Sequence, residues 1–381
     1  MPELNDHSKR AHALLSASSA HRWLACPPSA LIAEKYPQQD TDFTREGTLA
    51  HEVAEITARE NIHPETGRDG FAPEVTQEML DCAAAYRDYI QEQTKSNDAI
   101  VLLEQRVDFS PWVPDGFGTC DCIILQGDTM DVIDYKYGQG VPVDAKDNPQ
   151  LRLYALGALN DYGIAFDVKK VKMHIFQPRL NNVTRDSLTA KQLLKWADKT
   201  VKPIADKAAA GTGELKAGDH CKFCPHAGKC RTLTDTCWDF AETHGLGKDD
   251  YTMNAVEVGD VLAMAPIIDL WLKRVRDQAL STMLDGGSIP GYKVVEGRGS
   301  RTWGDELQVA DALKAAGYSL EDITETSLLS VAKMEKAIGK KRAEEIVGEL
   351  IVRKPGAPTV AMETDKRPAY DRLAEAQNDF I

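Results

Sequence analysis

Residues 132–140 read "VIDYKYGQG". Val132, Ile133, Tyr135 and Tyr137 are strand formers, and Gly138 and Gly140 break the run. Side chains two apart on a strand share a face. Asp134 and Lys136 therefore point the same way at the end of a strand. Alone, Asp-x-Lys is the pattern of a solvated face with a weak ion pair. The flanking segments alter that reading.

"AIVLLEQRVDFS" (99–110) and "GFGTCDCIILQ" (116–126) are strand-like, and "QGD" (126–128) is a turn signal before "TMDVIDYKYG" (129–138). The pattern predicts a three-stranded β-meander. An antiparallel pair in it places Asp121, Asp134 and Lys136 at one edge. Two carboxylates that close repel unless something neutralises them. A divalent cation does so, and hard oxygen ligands select Mg²⁺ or Mn²⁺. Such an ion polarises a phosphodiester and lowers the pKa of water. Lys136 is placed to orient that water or to stabilise charge developing on the phosphate.

Further along, "NPQLRLYALGALNDYG" (148–163) reads as a helix. Gln150 and Tyr154 are four apart on it and share a face, able to contact a DNA backbone or to hold Lys136. Upstream, "DFTREGTLAHEVAEITARE" (42–60) is a helical pattern with Thr44 as its expected N-cap. It carries Glu46 and His51, and His51 is a candidate further metal ligand, although a lone helical histidine is more commonly structural. Residues 74–95 and 189–211 read as long helices and 168–179 as another strand.

In order, "EGTLAH", "LLEQRV", "GFGTCDCI", "VIDYKYG" and "QLRLYALG" resemble the RecB-type branch of the PD-(D/E)XK nuclease superfamily, over roughly residues 18–237. That resemblance implies an α/β fold, a restriction-endonuclease-like core with a mixed central sheet flanked by helices. It implies His51, Asp121 and Asp134 as metal ligands, assisted by the carbonyl of Tyr135, and Lys136 as catalytic. Gln150 and Tyr154 would support the site and the DNA, and Glu104 stands where some members carry an acid. The residue before Asp121 is Cys120 rather than proline, so the match is to the G-x-x-D form, Gly118 to Asp121. The implied activity is metal-dependent hydrolysis of DNA, with exonuclease action at single- or double-stranded ends. The alternative is a protein of the same fold that binds single-stranded DNA or a protein partner without catalysis. A complete acid–acid–lysine set is more than such a binder needs.

The chain has eight cysteines, and "HCKFCPHAGKC" spaces three of them as Cys221-x2-Cys224-x5-Cys230. Clustered cysteines in a cytosolic chain read as metal ligands rather than disulfides. Cys26, Cys237, His220 and His226 are candidates for a fourth ligand. Zinc is the generic occupant and an iron–sulfur cluster the other. In helicase- and CRISPR-associated relatives of the nuclease branch, one upstream cysteine joins three downstream ones. By that resemblance Cys26, in "WLACPPS", completes a [4Fe–4S] site with Cys221, Cys224 and Cys230. The cluster would tie the N-terminal helix to the end of the core. Cys82, Cys120, Cys122 and Cys237 read as structural thiols.

A length of 381 residues suits two or three domains. The expected division is a nuclease domain over 1–240 and an α-rich accessory region over 241–381, a candidate DNA binder. In that region Lys293, Arg298, Arg301, Lys340, Lys341, Arg342, Lys366 and Arg367 are candidate phosphate contacts, with Tyr292 and Trp303 for stacking; scattered surface charge is the alternative. A net charge of −14 excludes a surface basic all over, but not a local groove or a metal-bridged phosphate. The polar N-terminus and the lack of a long apolar run predict a cytoplasmic protein without membrane contact. The whole chain also resembles an uncharacterised phage and prophage family that ends in a "PGAPT…DKRPAYD"-style segment. That resemblance implies phage replication or recombination proteins as partners.

Overall fold

In the computed structural model, the Cys26-Pro27-Pro28 break separates two short helices, α1 (Ala20–Ala25) and α2 (Ser29–Ala33). A proline pair supplies no backbone donors, which ends the first helix. The structure describes residues 13–36, 42–60, 74–245, 253–299, 301–324, 329–331, 334, 338, 340–353, 356–362 and 367–370. Two long helices follow, α3 (Asp42–Glu60) and α4 (Gln77–Gln93). Helix α3 starts at Asp42, so Thr44 lies within it and does not cap it. Thr76 caps α4 by accepting a hydrogen bond from the Met79 N–H at 3.2 Å.

The meander forms as the sequence pattern requires. Strands β1 (Ile100–Asp108), β2 (Phe117–Gln126) and β3 (Thr129–Tyr135) pair antiparallel in order. Gly127 makes the β2–β3 turn at φ +58°, a left-handed conformation that glycine adopts without strain. Helix α5 (Pro149–Tyr162) then crosses over to β4 (Lys170–Gln177), which runs parallel to β3. A parallel neighbour needs such a crossover, and α5 supplies it. Asn148 fixes the start of α5 by accepting from the N–H groups of Gln150 and Leu151.

Strand β5 (Asn182–Thr189) pairs antiparallel with β4 and completes a mixed five-stranded sheet in the order β1-β2-β3-β4-β5. The sequence reading did not include this strand. Its composition, "NVTRDSLT", is largely polar, and it sits at the sheet edge with half its side chains exposed. Beyond it, α6 (Ala190–Trp196) and α7 (Lys202–Ala209) are joined by a π-helical turn, Ala197–Val201. The single long helix expected there is therefore interrupted, just before Pro203, which lacks a donor.

Both sheet faces are covered. On one, Ile123, Val132, Met173 and Ile175 pack with Trp23 of α1, Leu151 of α5 and Leu193 of α6. On the other, Ile124, Ile133, Tyr135 and Phe176 pack with Val53 of α3 and with Leu80, Tyr86 and Ile90 of α4. This is the α/β class expected from the sequence. Helices α8 (Arg231–Gly245) and α9 (Ala255–Leu284) follow.

The chain divides into two units, Met1–Trp271 and Leu272–Ile381. The second is mostly helical by residue: it holds the last part of α9, from Leu272 to Leu284, with α10 (Glu306–Ala315), α11 (Leu320–Ile323) and α12 (Lys340–Val347), and the short strands β6 (Tyr292–Gly297), β7 (Arg301–Trp303), β8 (Ile351–Arg353) and β9 (Gly356–Met362). Strand β6 pairs with β9, and β7 with β8. Three of the candidate nucleic-acid contacts, Lys293, Trp303 and Arg367, have internal partners. Trp303 is buried and donates from Nε1 to the Leu329 carbonyl at 2.7 Å, so it offers no stacking face. Lys293 Nζ donates to the Arg367 carbonyl at 2.7 Å, and Arg367 donates to that of Glu296 at 3.1 Å. Lys366 and the side chains of Lys340 and Lys341 lie outside the described residues. Among the described residues, no helix is long and apolar enough to cross a membrane.

Gly118 explains part of the G-x-x-D spacing. A Cβ there would stand 2.8 Å from Cε1 of Tyr154, so only glycine lets the α5 phenol lie against β2. Gly118→Ala should cost about 1–3 kcal/mol by overpacking. Urea denaturation checks this, and an unchanged midpoint would contradict the packing.

Candidate functional site

The strand register lines up three acids. Glu104 falls opposite Asp121 between the pairs Leu103↔Cys122 and Gln105↔Cys120. The β2–β3 ladder stops at Cys122↔Ile133, so Asp121 faces Asp134 one step beyond it. Like charges facing across strands are unfavourable. The backbone gives way at this row, and neither facing position keeps its ladder pair. Glu104 adopts φ +47°, a left-handed conformation that costs a residue with a Cβ about 1–3 kcal/mol. Arg59 of α3 donates to the neighbouring Leu103 carbonyl at 3.0 Å. The Tyr135 N–H donates to Asp121 Oδ2 at 2.7 Å.

Helix α3 brings His51 to this row. Its Nδ1 lies 3.7 Å from Asp121 Oδ1, and its ring meets the Tyr135 ring edge-on at 5.2 Å. One ligand atom each from His51, Glu104 and Asp121 fall within 4.8 Å of one another, a group able to hold a metal ion. Asp134 stands beside this group. It is 2% exposed, so Asp-x-Lys here is no solvated face. Lys136 Nζ is 2.8 Å from Asp134 Oδ2, an ion pair.

Gln150 joins the remaining groups. Its Oε1 accepts from Lys136 Nζ at 3.3 Å, and its Nε2 donates to the Tyr154 hydroxyl at 3.1 Å and to Asp134 Oδ1 at 3.4 Å. The Asn148 cap sets this first turn of α5, which is why Gln150 and Tyr154 face the acids. At Gly138 and Gly140 no atom lies within 4 Å of where a Cβ would sit, so the chain leaves the site through open space.

The electrostatics are those of desolvated acids that repel one another. Burial pushes the Glu104 carboxyl up to about 8, with Asp121, Glu55 and Asp134 adding to the rise and Arg59 opposing it. Burial also raises Asp121, against the pull of His51; Asp134 raises it further. For Lys136, burial works against the charge, yet Asp134 and Asp121 hold the ammonium above its ordinary value. Burial raises the Tyr154 phenol, again with Asp134 contributing.

A second group forms around the cysteines. Cys26, Cys221, Cys224 and Cys230 line one cavity together with Ser29, His220 and His226. Cys237 is not among the lining residues; it is buried with Cys221, Ala227 and Leu233 in a small apolar cluster. Each histidine has one ring nitrogen engaged: His220 Nε2 with the Lys216 carbonyl at 2.7 Å, and His226 Nδ1 with the Tyr36 hydroxyl at 2.7 Å. All eight cysteines are free thiols. Burial pushes Cys221 up to about 11, with Cys224, Cys230 and Cys26 adding to the rise. Burial likewise raises Cys224, with Cys230 and Cys26 adding and Arg22 opposing.

The profile of one protein family, described as "Protein of unknown function (DUF2800)", matches residues 12–368. The chain belongs to the DUF2800 family. Among solved structures, the DUF2800 chain is similar to the one titled "Crystal structure of SSO0001", at 14% identity over 60% of this chain and 91% of that one. The TM-score is 0.28, and at that level the likeness carries no argument.

Sequence reasoning missed one residue that orders the DUF2800 site. Arg179, just after β4, donates to Glu78 of α4 from Nε and Nη2 at 3.0 Å each and to Glu46 of α3 at 3.2 Å. Its guanidinium lies 4.4 Å from the centroid of the Tyr137 ring. It thus ties both long helices to the exit of β3. In sequence a lone arginine after a strand looks like any loop cation.

The raised Glu104 pKa has a definite sign. Between pH 4.5 and about 8 the folded chain keeps a proton there that the unfolded chain has lost. Its contribution to stability is full below that window and is lost as pH rises through it. A bound cation removes this penalty. The rise in Tm on adding Mn²⁺ should therefore grow from the bottom of the window to the top. Thermal melts across pH check it; a rise independent of pH would contradict the assignment.

Proposed function

We propose that this chain is a metal-dependent deoxyribonuclease whose core is braced by an iron–sulfur cluster. The observation that carries the reading is the row Glu104–Asp121–Asp134, with Asp134 buried and the other two acids half-buried, beside Lys136 and His51. Acids at that density with raised pKa values fit a Mg²⁺ or Mn²⁺ site. His51, Glu104, Asp121 and Asp134 would hold the ion, with the Tyr135 carbonyl as a further candidate. When bound, the ion supplies the Lewis acid that polarises the phosphodiester and eases deprotonation of the attacking water.

The chain's own groups supply the rest. Lys136 remains an ammonium at neutral pH and stabilises charge building on the phosphate during in-line attack. Gln150 holds Lys136 in place and is itself oriented by Asp134 and Tyr154. The open space at Gly138 and Gly140 leaves room for a DNA backbone. Four thiols around one cavity, with no disulfide between them, fit the donor set of a [4Fe–4S] cluster. The preference for DNA ends, and a place in phage replication or recombination, rest on the sequence resemblance.

End-labelled single- and double-stranded DNA, linear and circular, incubated with Mn²⁺ tests the reading. The wild type should degrade linear DNA, and Asp134→Ala and Lys136→Ala should each lose ~10²-fold or more in rate. Undiminished cleavage by both variants would overturn the assignment, and DNA binding without cleavage by the wild type would favour an inactive binder. Anaerobically purified protein should be brown and absorb near ~400 nm. Colourless protein with stoichiometric zinc would replace the cluster by zinc.

A further inference from the structure

Ser29 is 2% exposed, and its hydroxyl has no hydrogen-bond partner among the described residues. Leaving a buried hydroxyl unsatisfied costs free energy, so its position calls for an acceptor. The backbone of Ser29 is fully engaged. Its N–H donates to the Cys26 carbonyl at 2.9 Å, and its carbonyl accepts from Arg22 Nη1 at 2.7 Å. The residue is thus pinned at both ends while its side chain alone lacks a partner. It lines the cavity shared by Cys26, Cys221, Cys224 and Cys230. Three other buried hydroxyls without partners, on Thr57, Tyr86 and Tyr135, do not line that cavity.

We propose that the Ser29 hydroxyl donates a hydrogen bond to a sulfur of the metal centre held by these four cysteines. The inference rests on the reading of the cavity as a metal site. Neutral thiols are weak acceptors, whereas metal-bound thiolates and sulfides carry negative charge and accept well. The hydroxyl is therefore an orphan in the empty protein and satisfied in the loaded one. A donor to cluster sulfur stabilises the reduced form, so Ser29 raises the reduction potential and slows metal loss.

The test compares wild type, Ser29→Ala and Ser29→Thr, each purified anaerobically and assayed for bound metal. With the cluster loaded, Ser29→Ala should show a midpoint potential shifted to more negative values and lose its metal to a chelator ~10-fold faster. The metal-free Ser29→Ala chain should be as stable as the wild type or more so, because it lacks the orphan. Ser29→Thr, which keeps the donor, should retain the wild-type potential and chelator rate. Equal potentials and equal chelator rates in loaded wild type and Ser29→Ala would overturn the proposal. So would equal destabilisation of the loaded and metal-free Ser29→Ala forms. With zinc in place of the cluster, the chelator and stability comparisons decide in the same way. A wild type that binds no metal overturns the metal-site reading itself, an outcome distinct from a loaded protein indifferent to Ser29.

Discussion

Three carboxylates facing one another across neighbouring strands set the terms for the first unit. Glu104, Asp121 and Asp134 occupy one row, where the β1–β2 ladder skips a pair and the β2–β3 ladder has ended. Their mutual repulsion, in a buried place, is what the surrounding groups answer. Lys136 supplies one fixed positive charge, the Tyr135 N–H one hydrogen bond, and His51 a ring held edge-on against Tyr135. Those groups do not neutralise three acids; desolvation first, and the neighbouring acids after it, raise the Glu104 and Asp121 carboxyls. The strained Glu104 backbone belongs to the same account: a conformation unfavourable for glutamate is kept where it brings a third acid to the row.

The cysteine cavity addresses a different need. Helices α1 and α2 span six and five residues, too short to hold their place through helical structure alone. Cys26 lies between them, and its cavity partners come from the segment that follows α7. Under the proposed reading, a metal bound by both segments would convert a long loop closure into a local constraint and couple its binding to folding. The Tyr36–His226 hydrogen bond links the same two segments without metal.

Much of this was legible in sequence where local chemistry decides the structure. Alternation and the "QGD" turn gave β1 to β3, and the spacing of Asp121, Asp134, Lys136, Gln150 and Tyr154 gave residues that the structure brings together. What escaped depends on tertiary context. Strand β5 is polar because it is an edge, so its composition resembles a loop. The left-handed turn at Glu104, the bridging role of Arg179 and the orphaned hydroxyl of Ser29 have no local signature. Two basic residues of the second unit have internal partners that the sequence does not show. Lys293 and Arg367 look like phosphate contacts, yet each donates to a backbone carbonyl.

The acidic row is proposed to bind a divalent cation. Calorimetric titration of Mn²⁺ near neutral pH, in buffers of different ionisation enthalpy, measures it most directly. Binding should be saturable, with release of a proton as Glu104 ionises, and should be lost in Asp121→Asn. A wild type that takes up no Mn²⁺, or an Asp121→Asn variant that binds it as tightly as the wild type, would contradict it.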